Sequence, residues 1–392
     1  MRDADEQRML DRFMRLCEIA SPTGEERAVA DAVLAELREL GVEVSEDGAA
    51  GPARAAAGNL IARVPGRGDG WVMLSAHLDT VPHDGPIEVV DEGGVFRSAG
   101  ETILGADNKA AVAVLIELAA RHASDPAELG IELVFTVAEE EGLRGAKELD
   151  TDALRSPFGY AIDHATPIGE VIVAAPTYKR LEASFHGLEA HSGINPEDGH
   201  NAIAAAAAAI AGMKLGRLDE ETTANVGVIE GGTASNVVPG RCRVVGEARS
   251  IDSERAAATI GEMVDACTWA AGEHGCDVDV RVSEMFRGYR IDPKSPSVLA
   301  ASEALRRRGH EPQLVATGGG SDANALMAGG FECVLLANGT EANHTPQESV
   351  SADAIVEMLA VCEAVIEEGA RASATRTAGD ARAAMAGDDS SS

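Results

Sequence analysis

Aromatic residues are scarce in this chain, lysine is almost missing, and no cysteine spacing suits a metal or disulfide framework. Phe, Trp and Tyr make up 3% of 392 residues against 45% hydrophobic overall, so a core must be built from Ala, Val, Leu and Ile. The six cysteines (Cys17, Cys242, Cys267, Cys276, Cys333, Cys362) include no Cys-x-x-Cys pair. That argues against a thiolate zinc site and against a disulfide scaffold, and leaves them as small buried apolar residues. Lysine occurs only at Lys109, Lys147, Lys179, Lys214 and Lys294, and the formal charge is -32. Such a field repels phosphate backbones and anionic lipid, which counts against nucleic acid and membrane as partners, whereas metal cations are drawn in. No apolar run is long enough to span a bilayer, and the opening Met1-Arg2-Asp3-Ala4-Asp5-Glu6 carries acids where a secretion signal needs a basic start. A cytoplasmic protein is expected.

What is present is a rhythm of strands and helices. Apolar spacing predicts helices over 7–20 and 25–40, strands over 42–45 and 59–64, and a buried strand from Trp71 onward. A hairpin over 87–97, a helix over 110–121 and further buried strands over 131–138 and 158–162 follow. This alternation implies an α/β domain, a three-layer, mostly parallel sheet flanked by helices. From 176 the order becomes strand, helix, strand, strand, helix, strand, that of a ferredoxin-like α+β unit. It reads as an insertion over 176–288 between two catalytic segments, 1–175 and 289–370. Residues 371–392 carry too little apolar surface to fold by themselves and are expected to form a disordered tail.

Chemistry-bearing residues gather at the ends of buried runs. His77 and Asp79 stand where the Trp71 strand leaves the sheet, and residues two apart in extended chain face the same way. The Asp79 carboxylate can thus accept a bond from one imidazole nitrogen while the other nitrogen binds a metal. A lone His-x-Asp is more often a satisfied histidine than a ligand. Here, however, Asp107, Glu140, Asp163 and His344 occupy comparable junctions. Imidazoles with carboxylates and no thiolate suit zinc, with cobalt or manganese as substitutes. Asp107 can bridge two ions, with His77 and Asp163 completing one half and Glu140 and His344 the other; such pairs sit roughly 3.5 to 4 Å apart. Glu139, leaving the strand in a different direction from Glu140, is placed as general base. An isolated Glu-Glu-Glu reads more simply as a solvated acidic turn, but this one follows one of the most apolar strands in the chain.

The stretches Ser75-Ala76-His77-Leu78-Asp79-Thr80-Val81-Pro82, Gly105-Ala106-Asp107-Asn108-Lys109, Glu139-Glu140-Glu141-Gly142, Asp163 and Asn343-His344 resemble the motif set of the dizinc metallopeptidases that include aminoacylase, glutamate carboxypeptidase and peptidase T. The likeness runs over residues 21–368. Ile103-Leu104-Gly105-Ala106-Asp107-Asn108-Lys109, Gly318-Gly319-Gly320-Ser321-Asp322-Ala323-Asn324 and Glu221-Thr222-Thr223-Ala224-Asn225 are most similar to peptidase T-like members. The resemblance implies two zinc ions on those ligands, Glu139 as base, Asp79 orienting His77, and a cis peptide after Asp107. It implies a role for His191 at the oxyanion, substrate contacts from Asn236 and Arg249, and close backbone approach at Gly319 and Gly320. The inserted domain becomes a lid and dimerisation domain of a homodimer. The implied reaction is hydrolysis of a terminal amide in a short peptide by a metal-bridged hydroxide, as in a tripeptide aminopeptidase. An N-acyl amino acid deacylase or carboxypeptidase acting on an acylated amino acid or peptide is the alternative, and a catalytically silent peptide-binding scaffold a remote one.

Overall fold

The Trp71–His77 strand lies inside a nine-stranded mixed sheet in which Glu43–Glu46, Leu60–Val64, Gly130–Thr136, Trp71–His77, Gly159–His164, Cys333–Ala337 and Glu170–Ala175 follow one another, the short Tyr289–Arg290 and Gln313–Ala316 strands both pairing with the last. This computed structural model describes the backbone of residues 3–388 and side chains through Arg371. The middle four strands run parallel, and the flanking pairs are antiparallel. Gly130–Thr136 is buried along its whole length, and Trp71–His77 everywhere but at Trp71. A strand covered on both faces has no need of polar alternation, which is why these segments read as continuous apolar runs.

One of the covering helices, Ala106–Ser124, is apolar on nearly every side, with Ala110 to Ala119 all buried. A helix of this kind belongs in an interior. Its one buried acid, Glu117, is met by Arg8 and Arg12, the latter at 2.9 Å, so the charge is compensated where water cannot reach it. The helix begins irregularly, since Asp107 and Asn108 have non-helical backbone angles.

The chain separates into two compact units. The first comprises residues up to Val173, Ile291–Ala316 and the chain from Ser321 onward; the second comprises Ala174–Arg290 and Thr317–Gly320. The second unit thus starts and ends two residues outside the 176–288 expected from the sequence, and it also takes in the Gly-rich turn. Its antiparallel sheet has the order Gly216–Arg217, Thr222–Gly231, Arg241–Ser250, Thr177–His186, Asp277–Phe286. Helices Ala202–Gly212 and Ser253–Glu273 pack on it around Leu181, Phe185, Val244, Ile260 and Met263. Without the short Gly216–Arg217 strand this is the ferredoxin-like arrangement.

The last helix spans Ala352–Asp388. Its backbone therefore stays helical beyond Arg371, through residues the composition leaves unfolded. Ala and Arg are among the strongest intrinsic helix formers, so a segment can lack a core-facing side and still continue a helix already begun. Residues 389–392 of that tail lie outside the described residues. All six cysteines are free and buried. No helix among the described residues is long and apolar enough to cross a membrane.

Candidate metal centre

Three exits from the central sheet and two loops converge on one cluster in the first unit. His77 is the last residue of its strand, Asp163 lies near the end of Gly159–His164, and Glu139 and Glu140 follow Gly130–Thr136. Asp107 stands at the irregular start of its helix, and His344 follows the short Thr340–Glu341 strand. Ala138 and His344 both adopt left-handed backbone, with φ of 51° and 64°. Non-glycine residues held there are uncommon, and they concentrate where surrounding structure enforces a functional geometry.

Asp107 divides the cluster between its two oxygens. Oδ1 lies 3.1 Å from His77 Nε2, which is itself 3.4 Å from Asp163 Oδ1. Oδ2 lies 3.2 Å from His344 Nε2, which is 3.1 Å from Glu140 Oε1. The donor atoms of His77, Asp107 and Asp163 fall within 4.8 Å of one another, and so do those of Asp107, Glu140 and His344. Glu139 joins a third such group with His77 and Glu140. The Asp107–Asn108 peptide bond is cis.

Charge in this cluster is unbalanced. Burial pushes the Asp163 carboxyl up to about 8, with the nearby His77 charge offsetting only part of the effect. Burial, joined by the charge of Asp163, also lifts Glu139 well above the usual carboxylate range, and burial raises Glu140. Asp107 goes the other way, because the bonds from His344 and His77 outweigh its burial. Bonds to Asp107 and Glu140 push His344 up to about 10. Protons are thus retained where several acids face one another, which is the position a cation would take. Glu140 Oε1 is buried and meets the cluster through His344 Nε2, 3.1 Å away. Imidazole nitrogens and carboxylate oxygens at these separations fit divalent ions of the zinc, cobalt or manganese type.

Asp79 does more than the sequence expectation gives it. His77 Nδ1 bonds to the main-chain carbonyl of Asp79 at 2.9 Å, while the nearer carboxylate oxygen is 3.6 Å away. The carboxylate instead accepts the amide N–H of Glu139 at 2.9 Å, that of Glu140 at 3.2 Å and the Thr23 hydroxyl at 2.8 Å. It thereby fixes the backbone carrying Glu139 and Glu140 while staying within ion-pair reach of the imidazole. Other supporting residues have no assigned role in the sequence reading. Asn108 Nδ2 bonds to Ile162 O at 2.9 Å and Asp163 Oδ1 at 3.0 Å, and Asn343 Nδ2 bonds to Asp107 Oδ2 at 2.9 Å. Both adjoin candidate ligands in sequence, and that adjacency is the signal that marks them. Asp322 is buried, accepts the Thr136 hydroxyl and leaves Oδ1 unpartnered.

The remaining expected residues lie in the second unit. His191 and Asn236 share one exposed loop pair, where Ser192 N bonds to Asn236 O at 3.0 Å and His191 bridges to Val237. Gly193 N donates to His191 Nδ1 at 3.1 Å. Arg249 stacks over Tyr178 with its Cζ 4.3 Å from the ring centre, bonds to Glu247 through Nε and Nη2 at 3.1 and 3.2 Å, and reaches Gly318 O at 3.2 Å. A Cβ at Gly320 would fall 2.2 Å from the Phe286 ring, so packing alone demands glycine there. Gly319 is less constrained, and its N–H bonds to Thr317 Oγ1 at 3.1 Å.

A model of peptidase family M20/M25/M40 matches residues 73–368. Over 369 residues the chain is 37% identical to the uncharacterized protein YqjE of Bacillus subtilis (strain 168), covering 94% of this chain and 100% of that one. Among solved structures, aminopeptidase PepT from Bacillus cereus ATCC 10987 is 38% identical with a TM-score of 0.84, over 93% of this chain and 99% of that one. A tripeptidase (SAV1512) from Staphylococcus aureus subsp. aureus Mu50 is 35% identical with a TM-score of 0.88, at the same coverage. The family match takes in all six residues that meet in the cluster, and the chain belongs to the metal-dependent hydrolases of peptidase family M20/M25/M40.

Proposed function

We propose that this chain is an aminopeptidase of the peptidase T kind, releasing the N-terminal residue of short peptides such as tripeptides. Two divalent ions, zinc by preference, would be held by His77, Asp107 and Asp163 and by Asp107, Glu140 and His344. The observation that carries this reading is the division of Asp107, one oxygen facing each triad. When bound, such a pair polarises the scissile carbonyl and lowers the pKa of water.

The side chains supply the proton traffic and the positioning. Glu139 takes a proton from the attacking water and delivers it to the leaving amine. Burial and the neighbouring charge of Asp163 lift its carboxyl above the usual carboxylate range, the direction a general base that must also release its proton requires. Asp79 holds the Glu139 and Glu140 amides in place. His191 accepts the Gly193 N–H at Nδ1, which puts the neutral ring's proton on Nε2, free to donate to a developing oxyanion. Asn236, on the same loop pair, is assigned to the substrate backbone, and the Gly319 and Gly320 backbone to the substrate as well. A carboxypeptidase or deacylase needs Arg249 to read a carboxylate, but its fork is already on Glu247; this favours the aminopeptidase. The reading includes a cytoplasmic homodimer formed through the inserted unit.

The test is elemental analysis together with hydrolysis of free tripeptides, N-blocked peptides and N-acyl amino acids, with wild type and Glu139→Gln. Free tripeptides should be cut, and the variant should lose about 10²- to 10⁴-fold in turnover while keeping its metals. Cleavage of blocked substrates alone would move the assignment to the deacylase. Near-normal turnover in the variant would remove Glu139 from the mechanism.

A further inference from the structure

Glu348 lies four residues beyond His344 and is 1% exposed. Its two oxygens take three main-chain N–H groups: Oε2 accepts from Leu104 and Gly105, each at 2.8 Å, and Oε1 accepts from Asp107 at 2.9 Å. A carboxylate out of water is retained only where charge-assisted bonds replace its hydration. Here all of those bonds come from the loop that delivers Asp107. Around Glu348 itself the chain is closed by its own N–H donating to Thr345 O at 3.1 Å.

The same short stretch also meets Asp107 at its other end. Asn343 Nδ2 and His344 Nε2 approach Asp107 Oδ2 at 2.9 and 3.2 Å. Residues 343–348 therefore hold Asp107 twice, by its carboxylate and by its peptide N–H. Since Asp107 is common to both ligand triads, a drift of 104–107 against 343–348 would alter its separation from His344 and Glu140.

We infer that Glu348 is a positioning residue that clamps the Asp107 loop to the His344 loop, and so sets cation affinity at the Asp107–Glu140–His344 triad. The inference rests on the dinuclear reading above. Glu348→Gln keeps the volume of the side chain but turns an NH₂ group toward an N–H.

Metal-free wild type and Glu348→Gln are titrated with Co²⁺, followed by its visible absorption, with thermal unfolding and tripeptide kinetics in parallel. In the variant, one of two Co²⁺ equivalents should bind about 10- to 100-fold more weakly. Its kcat should fall with that equivalent while KM holds, and excess Co²⁺ should restore kcat, which it would not do for a merely destabilised fold. A variant that binds both equivalents as tightly as wild type, with unchanged kcat, overturns the inference and leaves the dinuclear reading standing. Wild type that binds fewer than two equivalents overturns that reading instead. If the variant does not fold, hydrogen exchange on metal-free wild type decides the matter. The Leu104, Gly105 and Asp107 amides should be strongly protected, and exchange at unstructured-chain rates would refute the clamp.

Discussion

At the scale of single residues, Asp79 has the most to say about how the loop carrying Glu139 and Glu140 is held. Its carboxylate receives two consecutive amides and a hydroxyl, and those amides belong to Glu139 and Glu140. Asp79→Asn is nearly isosteric, yet its NH₂ must face one of the two N–H groups and leave it unpaired in a buried place. The expected cost is about 1–3 kcal/mol, read by chemical denaturation, with a fall in kcat because Glu139 shifts. An unfolding free energy within about 0.5 kcal/mol of wild type would show that these bonds do not matter. The five candidate ligand positions that the structure gathers are legible in the sequence because each closes an apolar run or opens a loop, and because the motif set they resemble names them. The direction of Asp79 is not legible. The two-residue repeat fixes which side it faces but cannot say that its own carbonyl takes the imidazole and its carboxylate takes another loop's amides. Glu348 is harder still, since its partners lie more than 240 positions away in sequence.

Helices and strands form the next scale, and there the sequence does best where caps and breakers are explicit. Asn201 shows why. Its side chain accepts the Ala204 N–H at 2.9 Å and starts the helix Ala202–Gly212. That helix is almost all alanine, so propensity extends it but only the cap fixes its first turn. Asn201→Ala should cost about 1 kcal/mol, and Asn201→Asp should restore most of it, since an aspartate also accepts the bond and suits the positive end of a helix. Chemical denaturation of the two variants checks this, and equal losses in both would mean the cap is idle. Elements without such marks go unpredicted. Glu170–Ala175 is a short apolar run that abuts the next strand across Pro176, and short apolar runs fit a strand or a buried helix equally well. Asp322–Ala328 spans barely two turns after the Gly-rich turn, too few for a helical period to register. Where the fold departs from composition, in the helix backbone continuing beyond Arg371, intrinsic propensity is the physical reason on hand.

For the whole molecule the acidic excess makes pH the natural variable, and one imidazole gives it a definite sign. His122, near the end of Ala106–Ser124, places Nε2 2.8 Å from Glu363 on the Ala352–Asp388 helix, and its Nδ1 lies 3.3 Å from Asp125 O. Burial lowers its pKa, but the bond to Glu363 and the charge there outweigh burial, and the net shift is upward despite neighbouring Arg121. Arg121 also reaches Glu363, with Nη1 3.5 Å from Oε1. A histidine whose folded pKa exceeds its unfolded one stabilises the native state fully below the unfolded value, about 6.5. That contribution is lost as pH rises through the higher folded value. Wild type should therefore lose stability relative to His122→Gln as the pH is raised from below 6.5 to beyond the folded pKa, at fixed ionic strength so that screening of surface charge stays constant. NMR titration of the His122 ring locates the folded pKa, and denaturation at each pH gives the difference between the two proteins. A difference that stays flat across that window, or that grows in favour of wild type with rising pH, would mean that the two helices are not joined by a charged imidazole.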